Sequence, residues 1–184
     1  MVVTGGSGTG KSTLARSLQD RLLPTQWLHF SVDTILYCLP PSILEMANGR
    51  NDWSLIDTRS VHRSAYACLA ALLDDGNRVI FDCVVMTERG AKELLVALRA
   101  YHPVLIELTC SWEETRRRTI ARGDRTLEEA ERGFETAGRC LEPDYRVDTT
   151  QRDADDIARM LIDASRQQPR HQAWEQNLAR YAAG

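Results

Sequence analysis

A glycine-rich segment near the amino terminus has the residue types and the spacing needed to hold phosphate groups. Residues 5–12, GGSGTGKS, fit the pattern G-x-x-x-x-G-K-[ST]. Glycines let the backbone wrap so that successive N–H groups face phosphate oxygens, while Lys11 can reach the β- and γ-phosphates and Ser12 offers a hydroxyl to Mg²⁺. The pattern therefore predicts binding of a nucleoside triphosphate with Mg²⁺. We expect nucleotide contacts from Gly5, Gly6, Ser7, Gly8, Thr9, Gly10, Lys11, Ser12 and Thr13.

Two aspartates follow apolar runs that are typical of strands, and both could take part in phosphate chemistry. Asp82 ends the run VIFD, and we favour a role in holding Mg²⁺ over local bonds to backbone N–H groups. Asp33 directly follows the run WLHFSV, where a carboxylate at a strand's carboxyl end can accept a proton from a substrate hydroxyl. It could equally be the N-cap of a turn over 34–37, and spacing alone does not separate the two uses.

Five arginines are concentrated in one segment: Arg116, Arg117, Arg118, Arg122 and Arg125. Glu113 and Glu114 lie four residues before the second and third of these, at the spacing of helical ion pairs. A solvated helix face accounts for Arg116 and Arg117. Arg122 and Arg125 lie around a Gly-Asp interruption, and arginines on a hinged segment suit a lid over transferring phosphates. We expect both to act in catalysis, within a lid region over 116–137.

Short apolar runs alternate with amphipathic segments along the chain. Strands are predicted at 2–4, 27–32, 79–81, 104–108 and 145–147, and helices at 11–22, 61–73, 91–100, 112–121, 127–137 and 157–164. This alternation predicts one α/β domain over residues 1–165, with a parallel five-stranded sheet flanked by helices. Continuous apolar runs suit strands that are covered on both faces.

Residues 39–56 break this alternation with a Pro-Pro step and an Asn-Gly step. We interpret them as an irregular excursion that shapes the acceptor site, because long irregular stretches in small domains are usually functional or mobile. Tyr37, Met46 and Trp53 could form an apolar wall for a substrate. They could equally be ordinary core residues.

The carboxyl-terminal residues 166–184 are predicted to form a tail helix. Trp174, Leu178 and Tyr181 follow one another at helical spacing and share an apolar face. The favoured interpretation is a helix packed on the body of the domain. The alternative is a contact that joins copies of the chain into a homo-oligomer.

The 184-residue chain carries 23 Lys and Arg against 26 Asp and Glu, a formal charge of −3. This balance predicts no general affinity for nucleic acid or for an anionic membrane, and no apolar run approaches the ~18 residues of a membrane span. The five cysteines are scattered without a CxxC pair, which suits a reducing cytoplasm better than a disulfide framework. Neither they nor the histidines fall at zinc spacing.

Taken together, these motifs resemble the chloramphenicol phosphotransferase family of P-loop kinases. The resemblance rests on GGSGTGKST at 5–13, WLHFSVDTIL at 27–36, VIFD at 79–82, ARGDR at 121–125 and VDTT at 147–150, in the family's order. It implies a P-loop nucleotide-kinase fold with an arginine-bearing lid, and transfer of the γ-phosphate of ATP to a hydroxyl. It also implies that Asp33 faces the acceptor hydroxyl and that Arg122 and Arg125 are lid arginines, with Arg118 a weaker match on the nucleotide.

The predicted function is therefore phosphorylation of a small alcohol, with ATP and Mg²⁺. The resemblance favours chloramphenicol or a similar antibiotic-type alcohol as acceptor. The chain lacks the N-K-x-D and D-x-x-G motifs of a GTPase switch. A kinase for a nucleoside or a sugar and a non-catalytic ATP-binding sensor remain alternatives.

Overall fold

Five parallel strands form the single sheet of the described chain, in the order β2-β3-β1-β4-β5. The structure, a computed structural model, describes residues 1–123, 126–167 and 172–182. The strands are β1 (Val2–Gly5), β2 (Leu28–Ser31), β3 (Val79–Cys83), β4 (Leu105–Thr109) and β5 (Tyr145–Asp148). β1 and β3 are buried along their whole length, as continuous apolar runs require in a sheet covered on both faces. The predicted α/β fold is confirmed.

Helices cover both faces of this sheet and bury one core on each. They are α1 (Lys11–Arg21), α2 (Val32–Leu36), α3 (Pro41–Arg50), α4 (Thr58–Asp74), α5 (Glu88–Ala97), α6 (Trp112–Arg122), α7 (Leu127–Thr136), α8 (Ala154–Gln167) and α9 (Ala173–Ala182). Leu14 of α1 and Ile157 of α8 are buried against one face, and Leu69 of α4 and Leu94 of α5 against the other. Each such side chain contributes about 1.5–3 kcal/mol when fully buried. The two cores hold the strand ends, and the loops after them, in a fixed arrangement.

The stretch 39–56 is not irregular throughout, which corrects the sequence interpretation. α3 occupies most of it, with a proline in the first turn, where the missing N–H costs no hydrogen bond. Ala47 is fully buried against Leu36 and Ile56, so a small satellite core stabilises the helix. The Asn-Gly step lies inside α3, and the left-handed residue that ends it is Asn51, with φ of 54°.

The tail contains α9, and its apolar face packs on the body of the domain. Trp174 is 0 % exposed, and Leu178 and Tyr181 pack against the same core. Asp144 fixes the start of the helix, because its Oδ1 accepts from the backbone N–H groups of Gln172 and Ala173. The apolar face of α9 is covered within the chain, so it does not support a contact between copies. Homo-oligomerisation stays a prediction.

Two further expectations concern membrane spans and cysteines. Across the described ranges, none of the helices combines the length and the apolar character needed to cross a membrane. All five cysteines are free thiols, two of them exposed and three buried. Separate thiols are what their scattered spacing predicted.

Candidate functional site

The glycine-rich segment forms a loop between β1 and α1, and glycine is required at two of its positions. A Cβ on Gly5 would lie 2.4 Å from the carbonyl oxygen of Leu108, and the residue has φ of 145°. Gly10, with φ of 89°, is the left-handed N-cap from which α1 starts at Lys11. The loop can therefore approach β4 closely and still direct the amino end of α1 at an anion.

Side chains of the loop bond back to its own carbonyl groups. Lys11 Nζ donates to the carbonyl oxygens of Gly5 and Gly6, at 3.1 and 2.9 Å. Thr9 Oγ1 donates to Gly6 at 2.9 Å. Gly5, Gly6 and Thr9 thus shape the loop, and they are not among the described residues that line the adjoining cavity.

Ser12 and Asp82 meet at the carboxyl end of β3, as the sequence predicted for a magnesium site. Ser12 Oγ donates to Asp82 Oδ2 at 2.9 Å, and His29 Nε2 lies 2.8 Å from the same oxygen. Burial alone would raise the pKa of Asp82, but the bonds from His29 and Ser12 and the charge of Lys11 hold it below its ordinary value. An ionised carboxylate beside a hydroxyl is an oxygen donor set that fits Mg²⁺ completed by phosphates and water.

Asp33 does not cap a helix, so the capping alternative is wrong. Ser31 is the N-cap of α2, and its Oγ accepts from the backbone N–H of Thr34 at 3.3 Å. Asp33 lies in the first turn of α2 and lines the same cavity as the phosphate-binding loop. Its position at the end of β2 is the one at which open parallel sheets place ligand-binding residues.

One cavity of about 480 Å³ joins these groups. Its polar wall comes from the loop and helix start, and is formed by Ser7, Gly8, Gly10, Lys11, Ser12 and Thr13. Asp33 and Asp82 also line it. The apolar part of its remaining wall comes from α2, Trp53, α4 and the segment after β3, while α6 and α7 contribute polar side chains. The cavity therefore has one end suited to phosphate and another suited to an apolar group.

The apolar wall agrees only in part with the sequence prediction. Trp53 lines the cavity, whereas Tyr37 and Met46 do not. Tyr37 is exposed at the end of α2, and Met46 lies on α3 away from the cavity. The residues that replace them are Val32, Leu36, Val61, Val84 and Met86. Sequence reasoning missed these because a side chain's direction toward a cavity leaves no periodic signal.

Arg118 and Thr149 clamp the loop to the rest of the fold. Arg118 donates to the carbonyl oxygen of Gly8 at 3.3 Å and to that of Thr149 at 2.8 Å. Thr149 Oγ1 lies 3.0 Å from the carbonyl oxygen of Thr9 and 3.1 Å from that of Thr109. The VDTT motif thus positions the loop, a role that its sequence does not reveal.

The other arginines of the cluster differ in their surroundings. Arg122 is exposed at the end of α6 and lines the cavity, while Arg125 lies outside the described residues. Glu114 pairs with Arg118 as predicted, at 2.8 Å. The predicted Glu113–Arg117 pair is replaced by a contact of 2.6 Å between Arg117 and Glu114, because an i,i+3 pair lies equally close on a helix.

Sequence reasoning did not identify four polar residues of the cavity, which are Thr58, His62, Glu129 and Arg132. His62 lines it from α4. Arg132 lines it from α7 and donates to Asn51 Oδ1 at 2.6 Å, so that α7 contacts the residue after α3. α7 also packs closely on the loop, since a Cβ on Gly6 would lie 3.1 Å from the Gly133 carbonyl oxygen. None of the four polar residues belongs to a motif that the sequence displays.

The five-stranded parallel sheet, the phosphate-binding loop and the carboxylates around one cavity define a P-loop kinase that phosphorylates small molecules. Residues 1–166 match the family of chloramphenicol phosphotransferase-like proteins. Since this match spans most of the chain, the chain belongs to that family.

Relatives and solved structures agree with this assignment. A protein of Mycobacterium tuberculosis H37Rv, provisionally named as an O-phosphotransferase, is 29% identical over 179 residues, with 88% of this chain and 79% of the relative covered. A sugar kinase from Janibacter sp. HTCC2649 has a TM-score of 0.67 at 20% identity, with 91% of this chain and 94% of that chain covered. The APS kinase CysC of M. tuberculosis, solved with AMPPNP and APS, has a TM-score of 0.64 at 18% identity, covering 88% and 95%. These structural likenesses establish the fold.

Proposed function

We propose that this protein transfers the γ-phosphoryl group of ATP to a hydroxyl of a small, largely apolar alcohol. One observation carries the proposal: the phosphate-binding loop and the carboxylate of Asp33 line the same cavity, whose far wall is apolar. A bound nucleotide and an alcohol can therefore share the cavity with Asp33 beside the hydroxyl. The proposal includes that the protein acts in a reducing cytoplasm that contains ATP.

In the proposed reaction, Asp33 orients the acceptor hydroxyl and takes its proton as the oxygen attacks the γ-phosphorus. A new O–P bond forms, the bond from the γ-phosphorus to the β,γ-bridging oxygen breaks, and ADP leaves with the bonding electrons. Lys11 and Arg122 offset the negative charge on the transferring group, and Arg125 is proposed to join them. Ser12 and Asp82 would hold Mg²⁺, which when bound neutralises charge on the β- and γ-phosphate oxygens.

The acceptor end of the cavity favours an amphipathic alcohol over a sugar or a nucleoside. Its walls carry Leu36, Trp53, Val61 and Met86, and burial of an apolar body against them contributes about 25 cal/mol per Å². A sugar would bring several hydroxyls, for which these side chains offer a single hydrogen-bond donor, the indole N–H of Trp53. Chloramphenicol, or a similar antibiotic-type alcohol, is the proposed acceptor.

A panel of acceptors tests this function directly. The wild-type protein is incubated with ATP and Mg²⁺ and with chloramphenicol, 3-phenylpropan-1-ol, 1-phenylpropane-1,3-diol, gluconate or a nucleoside, and products are detected by mass. We expect a phosphorylated product from the apolar alcohols and little or none from gluconate or the nucleoside. Transfer to gluconate or the nucleoside alone would assign the site to those classes. Absence of any product despite tight ATP binding would overturn the proposal.

Lys11→Ala is the control for the nucleotide half. Loss of the ammonium group removes its contact with phosphate, so ATP binding should weaken and transfer to every acceptor should fall together. A product that persists undiminished in this variant would point to a contaminating kinase.

A further inference from the structure

His62 occupies the acceptor half of the cavity in a fixed orientation. Its Nδ1 lies 2.7 Å from the carbonyl oxygen of Thr58, one turn earlier in α4. The edge of its ring meets Tyr66, with ring centroids 6.1 Å apart and an interplanar angle of 67°. Tyr66 is itself buried and packs in the same way on Phe81 of β3, so the histidine ring is supported from the centre of the sheet. A side chain held in this way is preorganised for contact with a ligand.

The bond to Thr58 determines which ring nitrogen carries the proton. A carbonyl oxygen only accepts hydrogen bonds, so Nδ1 must donate its hydrogen. In the neutral ring Nε2 is then a hydrogen-bond acceptor. Within the described chain, Nε2 has no protein partner.

We infer that His62 is a specificity-determining residue, whose Nε2 accepts a hydrogen bond from a second donor group of the acceptor alcohol. The inference rests on the proposed function. Val61 and Trp53, which also line the cavity, are apolar or present a donor only, so they do not compete with Nε2 for a donor group of the ligand. An alcohol with a second O–H or N–H satisfies that nitrogen, and one without it leaves a desolvated acceptor unpaired.

Arg132 does not serve the same purpose. Its guanidinium group has only donors, and one of them is bonded to Asn51. It could meet a hydrogen-bond acceptor on the ligand, but it gives no preference for a second donor. Thr58 and Glu129 also line the cavity and carry oxygen acceptors, so the share of selectivity that belongs to His62 is measured by substituting it.

Two alcohols that differ by one hydroxyl test this inference. 1-Phenylpropane-1,3-diol and 3-phenylpropan-1-ol share a carbon skeleton, and kcat/KM is measured for each with saturating ATP. For the wild-type protein we expect the diol to be preferred about 3- to 10-fold, as one net hydrogen bond implies. A ratio near one, or a preference for the mono-alcohol, overturns the inference.

Two substitutions at His62 separate specificity from structure. In His62→Asn, the new side chain can still donate to the Thr58 carbonyl oxygen but has no atom at the place of Nε2. The ratio of kcat/KM for the diol to that for the mono-alcohol should therefore fall to about one. Gln in His62→Gln reaches further with an amide oxygen and should retain part of the preference. A purely structural role would lower kcat/KM for both alcohols by the same factor and leave the ratio unchanged, which contradicts the inference.

Arg63→Gln is the matched control, because Arg63 is the exposed neighbour on α4 and does not line this cavity. It should keep the wild-type ratio. Transfer to another panel alcohol without transfer to the diol would overturn this inference alone. Absence of transfer to every alcohol would overturn the proposed function, so the two failures are distinct.

Discussion

At the scale of single residues, Asp33 and Asp82 have similar sequence positions but different surroundings. Asp82 is the penultimate residue of β3, and Asp33 lies in the first turn of α2, which directly follows β2. Asp82 is 6 % exposed and accepts from Ser12 and His29, which suits a charge that holds a metal. Asp33 is partly exposed and lines the cavity together with the phosphate-binding loop and the apolar residues. Their sequence positions suggested two acids near one phosphate site, but only the structure separates their surroundings.

Asp33→Asn should abolish transfer and leave ATP binding almost unchanged. The amide keeps the size of the side chain but cannot take a proton, so kcat should fall about 10²- to 10⁴-fold. Turnover and the Kd for ATP are measured in parallel, with the exposed Asp20→Asn as control. Undiminished transfer would contradict the role of Asp33, and a cellular effect that survives the substitution would favour the sensor alternative.

The lowered pKa of Glu114 predicts a loss of protein stability at acidic pH. Bonds from Arg117 and Arg118 lower the pKa of Glu114 from 4.5 to about 2. Because the folded-state pKa is the lower one, the stabilisation is complete above pH 4.5 and is lost as pH falls from 4.5 toward 2. The difference in Tm between the wild-type protein and Glu114→Gln should shrink across this window. Glu113→Gln serves as control, and an equal response of both variants would contradict the assignment.

At the scale of elements, the strands and most helices could be predicted because their patterns are local. The run VLIEL predicts a buried strand by composition alone, and β4 lies there. α3 was missed because its helical signal is weak and is interrupted by a Gly that favours turns. Its stability comes from packing on Leu36 and Ile56, which are close only after the chain has folded.

A glycine substitution tests the assignment of α3, and a second one, outside α3, gives a contrasting response. Gly49 lies in this helix with nothing near its Cβ position, so Gly49→Ala should stabilise the protein by about 0.4–1 kcal/mol. In contrast, Gly138 has φ of 78° and a Cβ there would lie 2.0 Å from Glu107 Oε1. Gly138→Ala should therefore destabilise by about 1–3 kcal/mol. Urea unfolding measures both, and a loss of stability in Gly49→Ala would favour the irregular excursion over a helix.

Some candidate functional residues of the cavity can be identified from sequence motifs, and others only from the structure. The loop, Asp82 and Arg122 belong to motifs whose spacing predicts a role at a phosphate and magnesium site. His62 and Arg132 come from helices that approach the site only through tertiary packing, so single-sequence patterns do not mark them. The acceptor half of the site is therefore the part that required the structure.

At the scale of the whole molecule, α9 completes the core on one face of the sheet. Trp174 is buried with Leu98 and Leu141, far from it in sequence. Asp144 strengthens this link, since Oδ2 accepts from the backbone N–H of Leu105 while Oδ1 caps α9. The tail is therefore part of the folded unit.

Trp174→Ala should destabilise the fold by about 3–5 kcal/mol, because it opens a large cavity in the core. Gln176→Ala, exposed on the same helix, should stay within about 0.5 kcal/mol of the wild-type protein. Urea unfolding and size-exclusion chromatography are run on both variants. A wild-type stability with an altered elution volume for Trp174→Ala would instead support the oligomer interpretation.

Thr149 has a consequence for how the protein is made. Its hydroxyl joins the Thr9 and Thr109 carbonyls, and β5 pairs beside β4 just before it. During translation the glycine-rich loop is made before Thr149, the residue that fixes it, which follows Thr9 by 140 positions. A nascent chain can brace this loop fully only after Thr149 has been added. Ribosome-bound intermediates that end before β5 lack both this strand and Thr149.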